Sequence, residues 1–316
     1  MILKDVVLCT NQVPESVTKP VKGLAEVRMG GEGFRIMSRE ELLTAAKDCT
    51  AIINQAELRV DEALLDALPN LKVVANVAIG TDNLDLQAME RSGVWATNAP
   101  GYFGQPVAEY VLTGLLVLSR RVMEMDAFVR SGQWGAFEPG RWDGHGLFGR
   151  ILGVVGYGRI GRTLATYAGT LGMTVIPYDQ GHGTEKLHQL LRDSDYISVH
   201  VPLLPETRNL IGEEAFSEMK PGAILANASR GGVVDQAAMI EALQSGRLGG
   251  AVLDVFAEEP SVPQVLHEMS NVLLSPHAAG GTHESREAAR LCAFRNVAAV
   301  LKGEVPPNAV NHLTKG

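Results

Sequence analysis

From Leu71 onward, short apolar runs alternate with stretches of helical period. The runs occupy 73–75, 151–155, 174–176, 196–199, 223–226, 251–253 and 272–274. Runs this short, apolar on both faces, predict strands of a parallel sheet covered by helices on both sides. Their alternation with helical stretches predicts βαβ units. Pro177 closes the third run and, lacking an N–H, is expected at a strand end rather than its middle. Between the runs, 105–121 predicts a helix with Val107, Val111, Leu115 and Leu118 on one face. Asp235 is placed to cap a helix that Gly246 stops. Thr282 is placed to cap a longer one, with Ala289, Leu291, Cys292, Phe294, Val297, Ala298 and Leu301 on its apolar side. Residues 131–149 are rich in glycine and aromatics without a period and predict an ordered loop.

Composition narrows the class. A length of 316 residues suggests two domains, at about 150 residues each. An apolar share of 46% fits globular cores and not disorder. With 28 Lys and Arg against 36 Asp and Glu, the chain lacks the basic balance expected of a nucleic-acid partner. No run reaches the roughly 18 apolar residues of a membrane span, and the N-terminal stretch lacks the apolar core of a signal peptide. Cys9, Cys49 and Cys292 are widely spaced with no CxxC, so reduced thiols in the cytoplasm and no zinc site are expected. The 34 glycines show no three-residue period and must have local geometric tasks.

One such task is legible. Gly156, Gly158 and Gly161 form G-x-G-x-x-G directly after the 151–155 run and open a helical stretch. Asp179 ends the next predicted strand, 18 residues past Gly161. That context is the dinucleotide fingerprint: a tight turn at Gly156, backbone approach to the pyrophosphate at Gly158, close helix–strand packing at Gly161. The phosphates are expected on the helix N-terminus, and Asp179 on the ribose hydroxyls, which favours NAD over NADP.

Ligands of such sheets bind beyond the carboxyl ends of the strands. Read there, the chain places Arg230 after the 223–226 run, Glu259 after 251–253 and His277 after 272–274. A guanidinium can grip a carboxylate with two bonds, and a His beside a carboxylate is a proton donor held in its charged form. Hydride from a nicotinamide supplies the remaining chemistry.

These residues, with the motifs NVAIGTDNLD, NAPGYFGQPVAEY, GRILGVVGYGRIG, HVPLLPETRNLIG, KPGAILANASRGGVVD, GAVLDVFAEEP and SPHAAGGTHES, make the chain resemble the NAD-dependent D-2-hydroxyacid dehydrogenases from about Asn70 to Pro306. The resemblance implies an α/β protein of two doubly wound parallel-sheet lobes. A Rossmann coenzyme domain, 99–286, is inserted in a flavodoxin-like substrate domain, 1–98 with 287–316. It implies that Arg230 binds and polarises the substrate, that His277 exchanges a proton with its keto oxygen, and that Glu259 keeps His277 protonated. It implies backbone donors to the substrate carboxylate at Val77, Ala78, Ile79 and Gly80. It further implies cofactor contacts at Arg159, Ile160, Pro202, Thr207, Ala228, Ser229, Arg230, Asp254, His277, Ala279 and Gly280. Asp254 accepts a bond from the carboxamide, and Pro202 and Thr207 border the adenine half. A homodimer is implied as well.

Within the family the 131–161 stretch resembles the glyoxylate/hydroxypyruvate and 2-ketogluconate reductase branch. A phosphoglycerate dehydrogenase remains open as an alternative. So does an NADH-sensing, corepressor-like binding protein, since such relatives keep the same three residues. One departure bears on the cofactor: the span from Gln180 to Leu191 is shorter than the family's, which takes a wall from the adenine pocket. His182 and His188 in that span read as exposed loop residues and not as metal ligands.

Overall fold

The computed structural model describes residues 5–313; the ends of the expected first lobe, 1–4 and 314–316, lie outside them. The chain forms two compact units, Met1–Phe103 with Thr282–Gly316, and Gly104–Gly281. The division falls at Gly104 and Thr282, where two long helices begin, a few residues from the approximate bounds 99 and 287. The physical reason is that each helix belongs whole to the core it fills. Helix His283–Leu301 buries Ala289, Cys292, Ala293, Phe294 and Val297 in the first unit.

The first unit contains one parallel sheet of β1 (Asp5–Cys9), β2 (Ala25–Met29), β3 (Ala51–Asn54), β4 (Val73–Asn76) and β5 (Trp95–Thr97), in the order β2-β1-β3-β4-β5. Only β4 was marked by a run in the sequence. β1 and β3 are short buried strands, and β2 carries its polar Glu26 and Arg28 at the sheet edge. Phe294 has no exposed surface in this core, and its loss to alanine would cost about 3–5 kcal/mol.

The second unit contains β6 (Ile151–Val155), β7 (Thr174–Tyr178), β8 (Tyr196–Val199), β9 (Ala223–Asn227), β10 (Leu248–Leu253) and β11 (Val272–Leu274). All pairs are parallel, in the order β11-β10-β9-β8-β6-β7. The chain leaves β6 toward β7 and then returns to β8 on the other side. The topological switch point, where such sheets open a crevice for ligands, therefore lies at the end of β6. Among the described residues, no strand lies beyond β7. After it come one short turn of 3₁₀ helix, Gln180–His182, and the helix Thr184–Asp193, which use up the shortened span. Pro177 is the fourth of five residues of β7 and not its terminus. The edge position explains this: an edge strand needs no ladder donor on its open side. His188 lies on that helix, half-buried, with Nδ1 2.8 Å from Glu218 Oε2, and is not a loop residue.

Helix Gly104–Ser119 buries Val107, Ala108, Val111 and Leu115. At Gly114 it lies so close to β10 that a Cβ would stand 2.5 Å from Val252 Cγ1. The 131–149 loop is tied to the preceding helix by a tilted ring pair: Phe128 and Trp142 centroids are 4.9 Å apart, and the Arg141 guanidinium lies 4.4 Å from the Phe128 ring centroid. Among the described residues, no helix is long and apolar enough to cross a membrane.

Candidate active site

The glycine loop follows β6 at the switch point. Gly156 takes φ +97°, and a Cβ there would stand 2.7 Å from the carbonyl carbon of His200. Gly161 touches Gly156 O, with 2.3 Å left for a Cβ. Both positions therefore exclude side chains. At Gly158, by contrast, the space is open. Helix Arg159–Thr170 begins there, so the first-turn N–H groups of Arg159, Ile160 and Gly161 have no intrahelical acceptor. The cradle fits a pyrophosphate: bare backbone, orphan donors and the positive end of a helix. Asp179 is exposed at the end of β7, and its Oδ1 accepts the Tyr157 N–H at 2.7 Å, tying the acid to the glycine loop. The Thr207 hydroxyl donates to Pro202 O at 2.6 Å and accepts the Leu204 N–H at 2.8 Å. These two predicted residues thus share one turn, in which the Thr207 side chain serves the loop itself. His200, beside the cradle, is half-buried with Nε2 2.8 Å from Ser198 Oγ; desolvation pushes its pKa down to about 4, so it stays neutral.

The catalytic candidates occupy the ends of β9, β10 and β11. Arg230 begins the turn after β9. Asn227, the last residue of β9 and buried, shapes that turn: its Oδ1 accepts from Ser229 N–H and hydroxyl, and its Nδ2 donates to Arg230 O at 3.0 Å. Gly231 then meets Phe256 O, where a Cβ would stand at 1.9 Å. Only a glycine lets the Arg230 turn lie against the backbone that leads to Glu259. His277 Nδ1 is 2.8 Å from Glu259 Oε2, and Glu259 Oε1 accepts the Phe256 N–H at 3.0 Å.

Glu259 hydrogen-bonding raises the pKa of His277 above the ordinary 6.5, against the opposing effects of burial and of Arg230. For Glu259, burial works against the charge. The bonds from His277 and Phe256 and the positive charges of His277 and Arg230 prevail and hold its pKa low. These shifts favour the charged form of each partner, an imidazolium beside a carboxylate. Arg230 acts on both partners and lies in the same cluster.

Asp254 follows β10 with 2% of its surface exposed. Its Oδ1 accepts the Ala278 N–H at 2.7 Å and the Ser275 hydroxyl at 2.5 Å, and Oδ2 accepts the Ala279 N–H at 2.9 Å. Its carboxylate therefore clamps the turn that carries His277, Ala279 and Gly280, a task the sequence did not disclose. Asn227, Ser275 and Tyr110 were likewise missed. The available signal was a polar residue ending or following an otherwise apolar strand.

In the first unit, the loop after β4 departs from expectation at one residue. The Val77 N–H is already bonded to Asn54 O at 2.7 Å, because it continues the ladder between β3 and β4. Ala78 O, Ile79 O and Gly80 O accept from Ala99 N, Asn98 Nδ2 and Asn76 Nδ2. Among the described residues, no group of His, Cys, Asp and Glu could hold a metal ion.

A nucleotide cradle beside an Arg–Glu–His cluster defines an NAD-linked oxidoreductase. Residues 112–279 match the family described as D-isomer specific 2-hydroxyacid dehydrogenase, NAD binding domain. The chain is 40% identical to a glyoxylate reductase of Thermococcus litoralis, over 98% of this chain and 97% of that one. In structure it is similar to the TT0316 protein of Thermus thermophilus, with TM-score 0.91, 36% identity and coverage of 96% and 99%. It is also similar to a D-lactate dehydrogenase of Aquifex aeolicus complexed with NAD and lactic acid, with TM-score 0.83, 28% identity and coverage of 98% and 100%. The chain belongs to the D-isomer specific 2-hydroxyacid dehydrogenases. It is an enzyme that couples NAD to the interconversion of 2-oxo acids and D-2-hydroxy acids.

Proposed function

We propose that this enzyme reduces a small 2-oxo acid of the glyoxylate or hydroxypyruvate kind with NADH, reversibly. The observation that carries the chemistry is the His277–Glu259 pair at 2.8 Å, with Arg230 acting on both. The substrate size is supported by relatives named glyoxylate reductase over nearly the whole chain. The bound nicotinamide supplies or takes the hydride. Arg230 grips the carboxylate and polarises the keto group. His277, held protonated by Glu259, gives the Nε2 proton to the keto oxygen in reduction and takes it back in oxidation. The N–H groups of Ala78, Ile79 and Gly80, in the loop after β4, are the donors assigned to a substrate carboxylate. Asp179 repels a 2′-phosphate, which favours NADH over NADPH even with β7 at the sheet edge. The buried, unpaired Cys9, Cys49 and Cys292 support a reducing cytoplasm.

The test is cofactor oxidation, with NADH and with NADPH, over glyoxylate, hydroxypyruvate, pyruvate, 2-ketogluconate and 3-phosphohydroxypyruvate. The expected result is the highest kcat/KM for glyoxylate or hydroxypyruvate with NADH. Turnover of none of them would overturn the reading in favour of an NADH-sensing binding protein.

The active unit of this reading is a homodimer. Leu116, Val122, Val129, Trp134, Phe137 and Phe148 are all exposed along 116–148, Phe137 by 88%. Apolar exposure on this scale marks an association surface. Sedimentation equilibrium should give the mass of two chains, and Phe137→Asp should shift it toward one; a monomeric parent would refute the dimer.

A further inference from the structure

The turn that presents His277 is held by a hydrogen-bond chain that starts one helix away. Tyr110, half-buried on helix Gly104–Ser119, has its hydroxyl 2.5 Å from Ser275 Oγ. Ser275 Oγ is 2.5 Å from Asp254 Oδ1. The direction of the chain is fixed by chemistry. A carboxylate only accepts, so Ser275 donates its single proton to Asp254. Ser275 Oγ must then accept from Tyr110, which is the terminal donor. Burial raises the pKa of Tyr110, so this donor keeps its proton throughout the working range.

The far end of the chain is the reacting group. Besides the Ser275 hydroxyl, Asp254 receives the N–H groups of Ala278 and Ala279, and its own carbonyl accepts the His277 N–H at 2.8 Å. Between these anchors His277 takes φ +51°, a left-handed conformation that is strained for a side-chain-bearing residue. The turn keeps that conformation because the buried carboxylate over-determines it. The groups acting on the imidazole are Glu259, Arg230 and Asp254. Its ring is thus aimed by Glu259 and its backbone by Asp254.

We propose that Tyr110 is a positioning residue for the reaction: through Ser275 and Asp254 it locks the left-handed turn that aims His277. The proposal rests on His277 acting as the proton donor. It adds to that reading a residue that acts on His277 through Ser275 and Asp254.

The test uses the full chain with Tyr110→Phe, Ser275→Ala, Ser275→Thr and the double variant Tyr110→Phe/Ser275→Ala. Tyr110→Phe keeps the ring and removes only the hydroxyl, so packing is preserved. It should lower kcat for 2-oxo acid reduction about tenfold, as expected of a small misplacement, and leave the KM for NADH within about twofold. Ser275→Ala should do at least as much, and Ser275→Thr, which keeps the hydroxyl, should recover most of the loss. In the Ser275→Ala background, adding Tyr110→Phe should change little, because the chain is already cut. A kcat unchanged in Tyr110→Phe, or losses that multiply in the double variant, would overturn the proposal. A readout independent of turnover is the NMR titration of His277. Its midpoint should fall toward that of free imidazole in Tyr110→Phe and Ser275→Ala, as the ring loses its alignment with Glu259. An unmoved midpoint would overturn the relay even if the parent protein turned over no 2-oxo acid, the result that would refute the proposed function instead.

Discussion

Arg230→Ala is expected to lower kcat/KM for 2-oxo acids about a thousandfold, because it removes the only charged group in the cluster suited to grip a carboxylate with two bonds; at 1.36 kcal/mol per decade that is about 4 kcal/mol. NADH binding should be nearly unchanged, since the cradle at Gly156, Gly158 and Gly161 is built from backbone at a different strand end. Steady-state kinetics with glyoxylate and NADH fluorescence titration check the two halves. Arg230→Lys should restore little, since an ammonium keeps the charge and loses the fork. Turnover within a few-fold of the parent would remove Arg230 from substrate binding.

The second large effect concerns the proton. His277→Gln should lower kcat for reduction by about 10²–10⁴, the range of a positioned general acid. Glu259→Gln tests how that acid is held. The carboxylate stabilises the imidazolium and raises the pKa of His277. Reduction needs the protonated ring, so activity is present below that pKa and is lost as pH rises through it. With a neutral amide in place of the carboxylate, the pKa falls, and the alkaline limb of the reduction profile should move to lower pH. Oxidation needs the neutral ring, so its acidic limb should move the same way. A pH–rate profile in both directions decides the matter; unshifted limbs would sever the pair from the chemistry. Because removing the charge acts on the protonation state rather than on contacts, Glu259→Gln should lose less at low pH than at high pH.

Much of the second unit was legible because its physics is local. A buried parallel strand must be apolar on both faces, so ILGVV, YISV and AILA announce themselves. A pyrophosphate cradle needs glycine where backbone meets backbone, and Gly156 and Gly161 prove to be such positions. Caps are local as well: Asp235 accepts from Ala237 and Ala238 N–H, and Thr282 from Ser285 N–H. The first unit was harder to read. β2 is an edge strand whose Glu26 and Arg28 break the apolar run, and Arg28 is drawn to Asp48, 20 residues away, by two bonds. A contact of that separation leaves no periodic trace.

By itself, the sequence determined the βαβ order of the second unit and pointed to a glycine cradle after β6 and to Arg230, Glu259 and His277 as candidates at three strand ends. Each follows from what one short segment must be. Only the tertiary structure decided that Glu259 and His277 meet at 2.8 Å, that the Val77 N–H is already engaged by Asn54, and that Asp254 clamps the catalytic turn with Ser275 and Tyr110 behind it. Those facts join residues up to 165 positions apart. A hydrogen bond depends on where two atoms lie, to within a few tenths of an ångström, and no spacing along a chain specifies that until the sheet has placed its strand ends side by side.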